Sequence, residues 1–329
     1  MRRLPPLRNR AFDTPRLLTY AGDPMVPRMI FAFSLALLAG CIAGAQPTTP
    51  SAPGGAPPAS TPPPRNPPLQ ERTWEQLPQQ SVSMTGSNAL AIKKEQWKHA
   101  ETENFILHFR RVGDANAVAA EVEFDLWFVA RELGASKEQY ARKSHVYIFK
   151  DEREWQKFLE QTNQPKWFQS FAMRDELFLN VAAGGGAIDS ESLAHETTHA
   201  VVARLYGHRR WPLWLSEGFA EYMGRASVAT RHSRSLRRNQ DALLSARLTV
   251  AELTATSRYP TVRTEVHQLY ESAEKLVRYL CNKYPKELFP RFVDRILAGE
   301  TATAALVAIY GAEFQDMASF ERKFARFTR

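Results

Sequence analysis

Two histidines four residues apart, with a glutamate beside the first, are the residues of this chain best placed to do chemistry. His195, Glu196 and His199 lie in the stretch Ser192-Leu-Ala-His-Glu-Thr-Thr-His-Ala-Val-Val202. The spacing predicts a helix, on which His195 and His199 project from nearly one face, about 40° apart. Two imidazoles so arranged can grip one metal ion. Glu196, one step round the helix, points past the ion and can remove a proton from water bound there. Leu193, Ala194, Ala200, Val201, Val202 and Leu205 make this helix apolar almost all round, so it should be buried. Buried His and Glu need partners, and a metal supplies them.

A third ligand is predicted just downstream. Gly207 is a plausible stop for the metal helix and Pro212 restricts the connection that follows. Trp211 to Tyr222 then reads as a turn and a second helix. Seventeen residues separate His199 from Glu217, enough for two helical turns, a reversal and one returning turn. That path brings the Glu217 carboxylate back to both histidines and leaves a fourth position open for water. Glu221 falls one turn after Glu217. It is placed either to accept a hydrogen bond from the distal nitrogen of His195 or His199, fixing the tautomer, or to sit as a solvated helix carboxylate.

His-Glu-Thr-Thr-His followed by Trp-Leu-Ser-Glu-Gly-Phe-Ala-Glu-Tyr resembles the gluzincin metallopeptidases, the thermolysin-like and aminopeptidase-like clan. More narrowly, it is similar to the peptidase MA-like domains of bacterial envelope proteins. The resemblance is strongest over about residues 145–225 and extends over 86–329. It implies an α+β, zincin-like fold: a small mixed or antiparallel sheet and the active-site helix in the N-terminal part, then a helical C-terminal lobe. It also implies one Zn²⁺ per chain on His195, His199 and Glu217, Glu196 as general base, and zinc-dependent hydrolysis of protein or peptide substrates. In that family an edge strand pairs with the substrate backbone, and a Tyr or His of the helical lobe stabilises the oxyanion. Tyr270, ahead of His267, is the candidate here. The chain lacks the Gly-x-Met-Glu-Asn segment that holds a substrate amino terminus in aminopeptidases, so the resemblance points to an endopeptidase.

The elements that must position these residues are legible in outline. Phe105–Phe109 has strand character, with His108 alternating as a polar residue among apolar ones. Asn116 to Leu133 carries apolar residues at helical spacing and closes at Gly134. Val146–Phe149 is a short apolar strand, and Asp151 caps a helix to about Gln161. Trp155, Phe158, Trp167, Phe168 and Phe171 are expected in the core. Glu176–Val181 reads as the strand before the metal helix and the family's edge strand is sought near it; Asp189 or Ser190 is the expected N-cap. The glycine run at 184–186 has no Lys-Ser/Thr after it, which disfavours a phosphate loop. Further helices are expected over 242–248, 269–282, 286–298, 301–310 and 313–327. The arginines at 225, 231, 234, 237 and 238 read as a solvated face.

Residues 1–24 are basic and without period, an upstream extension. Residues 25–40 combine Arg28 with an apolar run of about eleven residues, the pattern of a signal peptide and too short to span a bilayer comfortably. The run ends in Leu38-Ala-Gly-Cys41, which resembles a bacterial lipobox and implies a lipid on Cys41. Residues 41–85 read as a Pro-rich tether and 86–329 as the globular domain. The expected location is the bacterial cell envelope, lipid-anchored and facing the periplasm or exterior. Residues 1–40 hold six Arg and two Asp, a net +4, half of the chain's formal +8, so its basicity gives little support for nucleic-acid binding. With two Cys, and Cys41 acylated, no disulfide framework is possible.

Two other classes fit parts of the pattern. One is a non-catalytic envelope lipoprotein that binds peptide or cell wall on a metallopeptidase scaffold; the retention of all four polar groups argues against it. The other is an iron enzyme with two His and one carboxylate; the helical spacing and the Glu between the histidines favour zinc.

Overall fold

A computed structural model of the chain describes residues 61–182, 189–207, 209–233 and 248–327. Cys41, the signal-like run, the tether up to residue 60, the glycines at 184–186, the arginines at 234, 237 and 238, and all but Leu248 of the expected helix at 242–248 lie outside these residues.

Six strands form one mixed sheet: β1 (Gln70–Arg72), β2 (Lys98–Glu101), β3 (Phe105–Phe109), β4 (Ser144–Phe149), β5 (Ser170–Met173) and β6 (Glu176–Asn180), in the order β1-β2-β3-β4-β6-β5. The central β3, β4 and β6 are parallel, and β1, β2 and β5 add on antiparallel. Every residue of β3 and β4 is buried, as expected for parallel strands covered on both faces. The crossover from β3 to β4 is the long helix α2 (Val112–Glu132), and α1 (Met84–Ala91) and α3 (Glu152–Gln161) belong to the other face. There Trp155, Phe158, Phe171 and Phe178 pack with Tyr147 and Phe149. Asp151 caps α3 through its side chain, accepting from the amides of Arg153 and Glu154.

The remaining helices are α4 (Ser190–Tyr206), α5 (Leu213–Arg231), α6 (Val250–Ala255), α7 (Arg263–Lys283), α8 (Leu288–Leu297), α9 (Ala302–Tyr310) and α10 (Met317–Phe327). The described residues thus form a mixed α/β protein, with the sheet between residues 70 and 180 and only helices after it. Helix α5 is the hinge of this arrangement, lying between α4 and α7. Gly218 makes the α7 contact possible: a Cβ there would stand 2.5 Å from the Ala273 carbonyl carbon. On the other contact, a Cβ on Gly224 would stand 3.1 Å from the His195 amide nitrogen. A methyl at Gly218 meets backbone and so must push the helices apart, at a cost of about 1–3 kcal/mol.

Three sequence expectations change, and the position of the edge strand becomes definite. The ordered domain starts before residue 86, because Gln70–Arg72 pairs with β2 as a sheet strand and α1 begins at Met84. Composition hid this pairing, since it depends on a partner about thirty residues away. Glu176–Asn180 is an interior strand, and the free edge next to α4 belongs to β5. Trp167 is 76% exposed and is no core residue. The long C-terminal helix begins at Arg263 rather than 269. No helix among the described residues is long and apolar enough to cross a membrane.

Candidate metal centre

Helix α4 starts at Asp189, which accepts a hydrogen bond from the Glu191 amide, and ends at Gly207, whose φ of 65° is left-handed. Leu193, Ala194, Ala200 and Val201 bury its apolar sides, and His195 and His199 are left on a half-open face. Pro212 then begins α5, and Trp214, Leu215 and Phe219 anchor it in the core. This anchoring turns Glu217, buried at 4% exposure, toward the two histidines.

The three side chains converge. His195 Nε2 lies 3.1 Å from His199 Nε2. Glu217 Oε2 lies 3.4 Å from His195 Nε2 and 3.6 Å from His199 Nε2. Ligands about 2.0–2.1 Å from a tetrahedral ion stand about 3.3 Å from one another, so three corners of such a tetrahedron are present. Among the described residues this is the one cluster of His, Cys, Asp or Glu able to hold a metal ion.

The surroundings fix the histidines. Glu221 Oε1 is 3.3 Å from His195 Nδ1, and Ser216 Oγ is 3.3 Å from His199 Nδ1. These contacts occupy the Nδ1 atoms and leave both Nε2 atoms facing Glu217. Arg225 in turn holds Glu221 at 3.0 Å. Burial opposes a charge on His195, but hydrogen bonds to Glu217 and Glu221 outweigh it and push the imidazole up to about 10. Burial likewise raises Glu217, yet the neighbouring His199 and His195 hold it well below the carboxylate range. The cluster favours positive charge at its centre, which is the electrostatic requirement of a cation site.

Glu196 is turned toward the sheet. Its Oε2 accepts from the Ala172 amide of β5 at 2.8 Å, so one carboxylate oxygen is held and the other stays available. Across the cluster, Tyr259 donates its phenol to Glu217 Oε1 at 2.5 Å, and the Tyr270 ring stacks on His195 with centroids 6.1 Å apart. Burial, followed by the Glu217 charge, raises the Tyr270 phenol, so it is a protonated donor, whereas Tyr259 is 55% exposed.

Sequence reasoning missed Ser216, Ala172 and Tyr259. Ser216 was within reach, as the neighbour of Glu217. Tyr259 sits in the Ser257-Arg-Tyr-Pro260 connection before α7, where no period or spacing marks it. His267, the second oxyanion candidate, makes no hydrogen bond or ring contact with the cluster among the described residues. His108 is fully buried and hydrogen-bonded to His99 and His145, away from these residues.

No protein-family model matches this chain, and no curated protein is similar to it in sequence.

Proposed function

We propose that the chain is a zinc-dependent peptidase of gluzincin type, acting as an endopeptidase at the bacterial cell envelope. The observation that carries this reading is the convergence of His195, His199 and Glu217 with Glu196 beside them, poised between the cluster and a free strand edge. Two imidazoles and one carboxylate in tetrahedral spacing, with a fourth corner open, suit a catalytic zinc site. A bound zinc ion supplies a Lewis acid that acidifies water and polarises the scissile carbonyl.

The chain's own groups do the rest. Glu196 takes the proton of the attacking water and returns it to the leaving amine. The edge of β5 offers backbone hydrogen bonds to an extended peptide, except at the Ala172 amide, which Glu196 occupies and which holds the base beside that edge. The phenols of Tyr259 and Tyr270 can donate to an oxyanion; both stand beside Glu217, and Tyr259 must release Glu217 Oε1 to do so. An anchor at Cys41 would hold this domain at a membrane surface, with peptide or protein as substrate and no role for nucleic acid.

Glu196→Gln tests the reading. It should keep zinc and lower peptide hydrolysis by about 10²–10⁴-fold or more. An active Glu196→Gln protein would remove Glu196 as the base.

A further inference from the structure

A cavity of about 700 Å³ opens where β5 turns into β6, at the C-terminal end of α4. Arg142, Arg174, Arg204, Arg209 and Arg210 line it, against Asp175 and Glu176. Several of these charges serve the fold. Arg204 donates to the carbonyl oxygens of Asn104 and Tyr140, and Arg209 to that of Tyr206. Arg142 pairs with Asp175 at 3.3 Å, and Glu176 is held by the Ser83 amide at 2.7 Å. Arg174 and Arg210 are exposed and form no ion pair with described residues. The cavity therefore carries an excess of positive charge; the C-terminal end of α4 accounts for Arg209 and Arg210, but not for Arg174 on the turn from β5 to β6.

Its position relative to Glu196 gives this charge a use. Asn180 donates its amide to Gln169 O at 2.9 Å, so in the alternating antiparallel pattern Ser170 and Ala172 turn their backbone groups outward. The Ala172 amide meets Glu196 on that outer side. Met173 and Arg174 follow directly and line the cavity, placing Arg174 about 7 Å along the strand from Ala172. On α4, Ala203 lines it one turn beyond His199. A peptide added antiparallel to β5 runs from Arg174 toward Ser170, so its N-terminal side enters the cavity.

Resting on the peptidase reading above, we propose that this cavity receives an acidic side chain of the substrate, two or three residues N-terminal to the bond cleaved. The same charge repels a free amino terminus placed there, which fits internal cleavage.

The experiment is a cleavage profile of the zinc-loaded full chain on a peptide mixture of unbiased sequence, read by mass spectrometry. Asp and Glu should be enriched at the second or third position before the cut. In Arg174→Asn/Arg210→Gln the ratio of acidic to neutral cleavage should fall about tenfold or more, the worth of a charge-assisted contact. Asn suits the left-handed φ of 57° at Arg174. In Arg174→Glu/Arg210→Glu the preference should turn toward Lys and Arg. Cleavage without acidic enrichment, or enrichment that survives both variants, overturns the inference and leaves the peptidase reading standing. A zinc-loaded chain that cleaves no peptide overturns both.

Discussion

Glu221 Oε1 stands 3.3 Å from His195 Nδ1, on the far side of the ring from Glu217. The contact fixes which nitrogen of His195 faces the cluster, and Arg225 steadies it from behind at 3.0 Å. Loss of such an orienting carboxylate weakens metal binding by about 10–100-fold. Glu221→Ala should therefore bind zinc more weakly by that factor while the helices stay folded. Competition against a fluorescent chelator measures it; unchanged affinity would show that Glu221 is an ordinary helix carboxylate.

Tyr259 and Tyr270 make separable predictions. Tyr259 donates to Glu217 Oε1, and Tyr270 stacks its ring on His195 with its hydroxyl beside Glu217 and Tyr259. If Tyr259 turns its hydroxyl from Glu217 to the oxyanion, Tyr259→Phe should lower kcat by about 10²-fold or more with KM little changed. Tyr270→Phe keeps the ring stacking and should cost less. Steady-state kinetics on one peptide decides the ranking, and a larger loss in Tyr270→Phe would restore the order expected from sequence.

The i, i+4 spacing of His195 and His199 is a local property, so the metal helix and its ligands were legible in the sequence. The return of Glu217 followed from Gly207 and Pro212, which mark one helix end and the next start. Other parts depend on distant partners. Which strand is the free edge is set by β5 pairing outside β6, a choice that the apolar run Glu176–Val181 cannot express. The strand Gln70–Arg72 is polar and exists only through β2. Tyr259 reaches Glu217 across 42 residues of chain, with nothing in its neighbours to announce it. Trp167 misled in the opposite direction, because an aromatic in a short loop can remain outside the core.

His108 carried a further signal that alternation alone could not decode. His99 Nδ1 lies 2.8 Å from His108 Nδ1, and His108 Nε2 lies 2.9 Å from His145 Nδ1, a row across β2, β3 and β4. Burial lowers all three, His108 well below its ordinary value and His145 to about 4. These histidines are neutral when folded and gain protons on unfolding at mildly acid pH. Their contribution is fully present above pH 6.5 and is lost as pH falls toward about 4. For His145 alone this amounts to about 3 kcal/mol. Urea midpoints between about pH 4 and pH 7 should fall more steeply with acid in wild type than in His145→Gln, which offers His108 an amide and does not titrate. Comparing the two proteins cancels the titration of the metal site. Equal slopes would contradict this account.

Metal content tests the central claim most directly, because it questions the site without requiring the right substrate. The full chain, purified and supplied with zinc, should carry about one zinc by mass spectrometry, and His199→Ala should carry almost none while keeping its fold. A folded wild-type chain that holds no metal under the same conditions, or a His199→Ala chain that holds as much as wild type, would contradict the assignment of His195, His199 and Glu217 as its ligands.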